Sequence, residues 1–235
     1  MDIKALSQQF WQDGYLHIPG FFPQEQMDTL NRLCLEHFGL DPSWAHTSEF
    51  IDKSNCEIVP WFPLRDDNVA EFNLIQRDES FNRLTQALLG DDFKELYCMS
   101  MFSKKGTAGQ AWHQDSPPDD PAKFNLNRLV YTHDISSETG GQVVVKPGTH
   151  RLGMISVGDP NATFDDQIVL NPNKGDIVIL HGHCWHMVMP VTGNYRVSTN
   201  FRAIPAGTPE TITDTAIYRN IKYYFPTNEV LEERV

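Results

Sequence analysis

The sequence has no long hydrophobic run. No stretch of its 235 residues approaches the length of apolar chain that a helix needs to cross a bilayer. The segment 1–14 carries Asp2, Lys4 and Asp13, so it also lacks the apolar core of a signal peptide. These absences predict a soluble, cytoplasmic protein that does not bind a membrane.

Cysteine and basic residues are both scarce. The four cysteines stand far apart and form no C-x-x-C pair, which argues against a disulfide framework and against a thiolate zinc site. Lys and Arg number 19 against 31 Asp and Glu, so the formal net charge is -12. An acidic protein of this kind is a poor binder of nucleic acid or anionic lipid. The predicted partner is therefore a small molecule, bound by a monomer or a homodimer.

Two helices are predicted in the first ninety residues. Apolar side chains recur at helical spacing over 23–39, where Gly39 is a suitable C-terminal glycine, and again over 78–89. A short strand is predicted within 13–20 because apolar and polar residues alternate there. The segment 40–77 is rich in Trp, Pro and Asp without a sustained period, and it is predicted to be loop.

After residue 90 the pattern changes to short β-type runs separated by turn residues. Strands are predicted near 94–103, 110–115, 127–134, 141–146, 167–170, 176–181, 184–189 and 195–203. Eight short strands without an intervening helix are typical of an antiparallel jelly roll. With 40% hydrophobic residues the chain can bury one good core. We therefore predict one mainly β domain over 1–235, with flanking helices: a helical layer (1–90), a jelly-roll core (91–205) and a tail that packs on the core (206–235).

The first candidate site is the sequence His113-Gln114-Asp115. Residues i and i+2 of a strand point to the same face, so this imidazole and this carboxylate could bind one metal ion together. The H-x-D pattern is common by chance, however. The alternative is that Asp115 only begins a turn at Ser116-Pro117.

A third ligand has to come from another part of the chain. His181 and His183 flank a glycine in a predicted turn, which places them at the rim of the fold. His186 lies within a predicted strand, on the same face as Val188 and opposite Trp185. His186 is the favoured ligand, and His181 and His183 remain as alternatives.

Arg196 lies ten residues beyond His186. If 184–189 and 195–200 form an antiparallel hairpin, the two side chains are diagonal neighbours on strands whose backbones are roughly 7–8 Å apart at that diagonal. A dicarboxylate could then reach from the metal to the guanidinium, with Ser198 adding a hydrogen bond. The alternative is a surface arginine in an ordinary ion pair.

Two histidines and one carboxylate on one side of a metal leave three coordination positions open. This arrangement suits non-haem Fe(II), which binds both a co-substrate and O2. A structural zinc site would instead fill its fourth position with a protein side chain. The ligand set therefore favours oxygen chemistry.

At this point the chain resembles the phytanoyl-CoA dioxygenase-like branch of the Fe(II)/2-oxoglutarate oxygenases. The resemblance is carried by Asp13-Gly14-Tyr15 with Pro19-Gly20-Phe21, by Trp112-His113-Gln114-Asp115, by the run from Gly140 to His150, by Gly175-Asp176, and by His186 with Arg196. It implies a double-stranded β-helix that binds Fe(II) through His113, Asp115 and His186. It also implies that Arg196 binds the distal carboxylate of 2-oxoglutarate, and that O2 is consumed while succinate and CO2 are released.

The resemblance further implies hydroxylation, because related halogenases have a small residue where this chain has Asp115. One departure is Val188, where many relatives have a small hydroxyl residue, so a hydrogen bond to the co-substrate has to come from Ser198 or Tyr131. Tyr131 could equally be a packed core residue. Other oxidative outcomes (desaturation, ring formation or epimerisation), a zinc-dependent hydrolase and a non-catalytic jelly-roll binding protein are the rival functions.

The substrate predicted is a small metabolite, either a natural-product intermediate or an amino-acid derivative. Loops 40–77 and 116–126 are predicted to border the mouth of the site, because loops of this kind usually set specificity. Trp44, Trp61 and Phe62 could close over it, or could simply pack in the helical layer.

Overall fold

The computed structural model describes residues 1–39 and 59–235. Within them the helices are α1 (Ile3–Asp13), α2 (Gln24–Phe38), α3 (Pro63–Asp66), α4 (Ala70–Gln76) and α5 (Glu79–Leu89). The first strands are β1 (Tyr15–Ile18), β2 (Val59–Trp61), β3 (Lys94–Lys104), β4 (Gln110–Gln114), β5 (Leu126–Val130), β6 (Val143–Val145) and β7 (Ile168–Val169). The later strands are β8 (Ile177–His181), β9 (His186–Val188), β10 (Tyr195–Ile204), β11 (Thr215–Tyr218), β12 (Ile221–Tyr224) and β13 (Glu229–Glu233). No described helix has the length and apolarity to cross a membrane.

The helix ends follow from local chemistry. Asp78 caps α5, because its carboxylate accepts a hydrogen bond from the Phe81 amide at 2.9 Å. Asp2 caps α1 in the same way. Gly14 ends α1 with φ of 79°, a left-handed conformation that glycine adopts without strain, and its amide bonds to the Phe10 carbonyl.

The strands form two antiparallel sheets. One has the order β1-β8-β5-β10-β3-β2, and the other has the order β13-β12-β11-β4-β9-β6-β7. The eight strands predicted after residue 90 are all present, and together the sheets form the predicted double-stranded β-helix, or jelly roll. Strands β11 to β13 come from the tail and extend the second sheet at the edge of β4.

Strand alternation sorts side chains into layers. On β10, Val197 and Phe201 pack with the helices on the outer face of the first sheet. The space between the sheets has its own apolar cluster, to which β8 contributes Val178 and Leu180 and β9 contributes Val188. Four alternating polar residues of β10 point into this same space and build the site: Arg196, Ser198, Asn200 and Arg202.

Three predictions about local structure need correction. Segment 40–77 is not all loop, because β2, α3 and α4 lie within its described part. Segment 1–12, for which no individual element was predicted within the helical layer, forms most of α1. The hairpin between 184–189 and 195–200 is wrong: β9 pairs with β4 and β6, whereas β10 pairs with β3 and β5 in the other sheet.

Candidate functional site

Two histidines and one aspartate meet where β4 lies beside β9. His113 and His186 are direct cross-strand partners, and their ring centroids are 4.2 Å apart. Asp115 follows the end of β4, and its carboxylate oxygens lie 3.8 Å from Nε2 of His113 and 3.5 Å from Nε2 of His186. One potential ligand atom from each residue lies within 4.8 Å of the others, so the three side chains can bind a single metal ion.

Backbone carbonyls orient both imidazoles. Nδ1 of His113 donates to the Ala111 carbonyl at 2.7 Å, and Nδ1 of His186 donates to the Cys184 carbonyl at 2.9 Å. In the neutral form of each ring the unprotonated nitrogen is therefore Nε2, the atom that faces Asp115 and can bind a metal. Burial and the neighbouring His186 lower the pKa of His113 to about 3, so this imidazole is neutral at pH 7.

Asp115 is held by three groups. Nη2 of Arg202 donates to Oδ1 at 2.9 Å, Nδ2 of Asn127 donates to Oδ2 at 2.6 Å, and the Asp115 amide donates to the Gly182 carbonyl. Burial is the largest single influence on this carboxyl and opposes its ionisation, but Arg202, the two histidines and the Asn127 hydrogen bond together outweigh burial and hold the pKa well below the usual range. Asp115 is therefore a carboxylate with a defined orientation.

The alternating residues of β10 line a narrow inner cavity of about 40 Å³ next to the three side chains. The residues of this set are Arg196, Ser198, Asn200 and Arg202. Arg196 is buried, and its Nε donates to the Gly141 carbonyl at 2.7 Å. The Ser198 hydroxyl is also buried, and it has no hydrogen-bond partner within the described protein. A buried hydroxyl in this state is a natural binding group for a polar ligand.

Gly141 leaves the space that the Arg196 side chain occupies. A Cβ at this position would lie 2.3 Å from Cδ of Arg196, and the φ of 70° is also unfavourable for other residues. The Tyr131 side chain lies outside the lining of the inner cavity, within the apolar cluster between the sheets. Burial raises its pKa although the charge of Arg196 opposes this shift.

A wider outer cavity of about 550 Å³ adjoins the inner cavity at His113 and Asp115. The two cavities share five lining residues: Met101, Gln110, His113, Asp115 and Arg202. Segment 60–65, strand β3 and the tail from Thr213 to Asn228 supply the other walls. His113 and Asp115 thus stand at the junction of a narrow cavity and a wide one.

The alternative histidines lie elsewhere. The His181 ring stacks on Phe124 at 3.8 Å, and Gln114 donates to the His183 carbonyl at 2.8 Å. Neither histidine lines the inner or the outer cavity. No residue of segment 116–126 lines the inner or the outer cavity, although this loop was predicted to border the mouth of the site.

The predicted aromatic cover is only partly present. Phe62 lines the outer cavity, whereas Trp61 is buried in the core and donates its Nε1 to Asp67 at 2.7 Å. Trp44 lies outside the described residues.

Sequence reasoning missed Arg202 and Asn127, which hold the Asp115 carboxylate. The signal was nevertheless present in the sequence of β10. Residues 196, 198, 200 and 202 are all polar and share one face of β10, and a polar row along one face of a buried strand indicates a functional cavity.

Comparison with known proteins supports this description of the fold. "Dioxygenase hkm4" of Aspergillus hancockii is 26% identical over 205 residues, covering 79% of this chain and 65% of the relative, so the match spans less than two thirds of that protein's length. The epimerase SnoN from nogalamycin biosynthesis superposes with a TM-score of 0.68 at 18% identity, over 92% of this chain and 85% of SnoN. HygX from Streptomyces hygroscopicus, with nickel and 2-oxoglutarate bound, superposes with a TM-score of 0.67 at 17% identity, over 86% of this chain and 88% of HygX.

The family comparison covers most of the sequence. The model of the phytanoyl-CoA dioxygenase (PhyH) family matches residues 10–196, a region that contains His113, Asp115, His186 and Arg196. The chain therefore belongs to the phytanoyl-CoA dioxygenase (PhyH) family.

Proposed function

We propose that this protein is an Fe(II)/2-oxoglutarate-dependent dioxygenase that hydroxylates a small-molecule metabolite. The observation that carries the proposal is the placement of two sets of side chains around one cavity. His113, Asp115 and His186 come from the second sheet, and Arg196 and Ser198 come from the first. All five residues line the inner cavity.

The donor set fits Fe(II). His113 and His186 would bind it through Nε2 and Asp115 through one carboxylate oxygen, which leaves positions for a chelating co-substrate and O2. When bound, iron with 2-oxoglutarate and O2 supplies the oxidising chemistry, with release of succinate and CO2.

The inner cavity fits the distal end of 2-oxoglutarate. Its narrow shape suits an unbranched chain, and the Arg196 guanidinium is suited to a carboxylate because it can donate two parallel hydrogen bonds. Ser198 offers a third donor. In this arrangement the near end of the co-substrate lies beside Asp115, and the wide outer cavity remains for the substrate.

The comparisons support the same reaction class. The curated relative is called a dioxygenase, and solved structures of SnoN and HygX contain 2-oxoglutarate together with iron or nickel. SnoN and HygX also have structures with nogalamycin RO and with hygromycin B, which supports a small-molecule substrate here.

A second outcome on the same site deserves a test, because two of the similar structures are described as an epimerase and a carbocyclase. The mass of the product distinguishes these outcomes. Hydroxylation adds one oxygen atom, ring formation or desaturation removes two hydrogens, and epimerisation leaves the mass unchanged.

Anaerobic titration of the protein with Fe(II) and 2-oxoglutarate tests the proposal. We expect a weak visible charge-transfer band, which requires both groups to bind at one centre. Absence of the band, together with tight zinc retention and hydrolytic turnover, would instead support a metal-dependent hydrolase, in which Arg196 would have no evident role. A protein that bound neither metal nor 2-oxoglutarate would be a non-catalytic binding protein.

A further inference from the structure

The side chains that line the outer cavity restrict the class of substrate that can bind there. We infer that it binds a ring-bearing, largely apolar molecule that is neutral or carries a single negative charge. This inference rests on the proposed function, since it names the substrate of the same site.

Aromatic side chains form much of the wall. Phe62 and Tyr97 pack edge to face with centroids 5.5 Å apart, and Tyr218 stacks on the His113 ring at 5.1 Å. Phe225 lines the cavity from the tail. Aromatic rings favour offset-stacked or edge-to-face contact with another ring, so this wall suits a ring-bearing ligand better than a thin flexible chain.

The floor between these rings is apolar as well. Tyr97, Met99 and Met101 alternate along β3 and share one face, and all three line the outer cavity. Methionine is flexible and polarisable, and it makes favourable contacts with aromatic rings. Ala216 on β11 adds no bulk, which leaves space beside the Tyr218 ring.

The charges of the cavity exclude a polycationic substrate. Although the chain carries a net charge of -12, the carboxylates that line this cavity among residues 1–39 and 59–235 are Asp115 and Asp214. Asp115 is paired with Arg202 and is the proposed metal ligand, so Asp214 is the one carboxylate that the described part of the wall leaves for a cation. Several ammonium groups would need several carboxylates, because a desolvated charge without a partner is costly.

An anionic group is better accommodated at the rim. The Arg65 guanidinium lies 3.9 Å above the centre of the Phe62 ring, and it also pairs with the adjacent Asp66. Its side chain is 65% exposed, so it can meet an incoming ligand at the mouth.

The volume of the outer cavity, about 550 Å³, is within the range of sites that bind drug-sized molecules, roughly 300–1,000 Å³.

Binding of three probes to the Fe(II) and 2-oxoglutarate complex under anaerobic conditions tests the inference. The probes are 9-anthracenemethanol (neutral and aromatic), dodecanoate (an acyl chain) and kanamycin (a polycationic amino sugar). We expect 9-anthracenemethanol to bind and to perturb the charge-transfer band, and kanamycin not to bind. Preferential binding of kanamycin or of dodecanoate, or no binding of 9-anthracenemethanol while the band forms normally, would overturn the inference.

Two neighbouring tail residues provide a matched pair of variants. Phe225→Ala removes an aromatic side chain from the cavity, and we expect it to weaken 9-anthracenemethanol binding by about tenfold. Tyr224→Ala removes an aromatic ring that does not line the cavity, and it should leave binding unchanged. Equal loss in both variants, or in neither, would argue against the assigned surface.

The same measurements separate the two proposals. The charge-transfer band depends on the inner cavity, and it should persist in Phe225→Ala. If the band never forms, the proposed function fails. The inference about the outer cavity can still be tested in that case, by measuring 9-anthracenemethanol binding to the metal-free protein. Binding that is lost in Phe225→Ala would show that the outer cavity takes this class of ligand.

Discussion

Arg202 donates a hydrogen bond of 2.9 Å from Nη2 to Oδ1 of Asp115. The same guanidinium donates from Nε to the Asn127 side chain at 2.9 Å and from Nη1 to the Tyr97 hydroxyl at 2.7 Å. The Tyr97 hydroxyl in turn lies 3.1 Å from the Thr213 hydroxyl in the wall of the outer cavity. A chain of hydrogen bonds therefore joins the proposed carboxylate ligand of the metal to the proposed substrate site.

Loss of the Arg202 guanidinium should weaken metal binding. In Arg202→Gln we expect the Fe(II) affinity to fall by about 10- to 100-fold, the usual effect of removing a group that orients a metal ligand. Arg202→Lys should recover only part of the affinity, because an ammonium group cannot reproduce the three directed bonds. Calorimetric titration of the metal measures both variants.

Arg65→Gln is the matched control, because Arg65 lines the outer cavity but pairs with Asp66 instead of Asp115. It should bind the metal normally. Thermal unfolding of the metal-free proteins identifies any general loss of stability. Unchanged metal affinity in Arg202→Gln would show that Asn127 alone orients the carboxylate.

Substitution of His186 and substitution of His183 should have sharply different effects on iron binding. His186→Ala removes an Nε2 that faces Asp115, and we expect it to abolish iron binding and turnover. His183→Ala should keep most of both, because His183 lies outside both cavities. Metal content after reconstitution and succinate formation measure the difference. The opposite result would contradict the assignment of the third ligand.

Gly141→Ala should imitate the loss of Arg196. Its Cβ would take the space of the Arg196 side chain and displace the guanidinium. We expect 2-oxoglutarate affinity to fall by about 10- to 100-fold in both Gly141→Ala and Arg196→Ala, the equivalent of losing charge-assisted hydrogen bonds. Fe(II) affinity without co-substrate should be retained in both. Normal 2-oxoglutarate binding in Arg196→Ala would remove the role assigned to this residue.

His133 should make the free energy of unfolding depend on pH. Burial, together with the charge of Arg196, lowers the pKa of His133 to about 4 from its ordinary value of 6.5. Between these values the unfolded chain binds a proton that the folded protein does not, so the free energy of unfolding falls as the pH falls. One such group contributes a slope of about 1.4 kcal/mol per pH unit.

His133→Gln removes this contribution. Denaturant unfolding between pH 7 and pH 4 should show a shallower dependence in the variant than in the parent protein. Identical slopes would mean that His133 is protonated in the folded state at the same pH as in the unfolded chain.

The local sequence pattern was sufficient to identify most elements and to assign the cavity-facing residues of β9 and β10. Alternation placed His186 and Val188 on the side of a strand that faces the cavity, and both line it. It also placed Arg196 and Ser198 together on one face of β10. These predictions succeeded because the two-residue period of a strand is a property of the backbone alone.

Strand pairing could not be obtained in the same way. The sequence suggested that His186 and Arg196 lie on adjacent strands, because only a short loop separates them. In the structure the chain crosses from one sheet to the other between β9 and β10, so Arg196 pairs with Ser103 and His186 with His113. Arg196 and His186 still meet, but they do so across the interior of the jelly roll.

The sequence by itself determined the fold class, the positions of strands β3 to β10 and the residue types of the proposed metal site. Only the tertiary structure decided which strands are neighbours, that Arg202 and Asn127 hold Asp115, and that the tail builds the wall of the outer cavity. The physical reason is that contacts between distant segments depend on how both sheets bury their apolar faces together, and no local period records that choice.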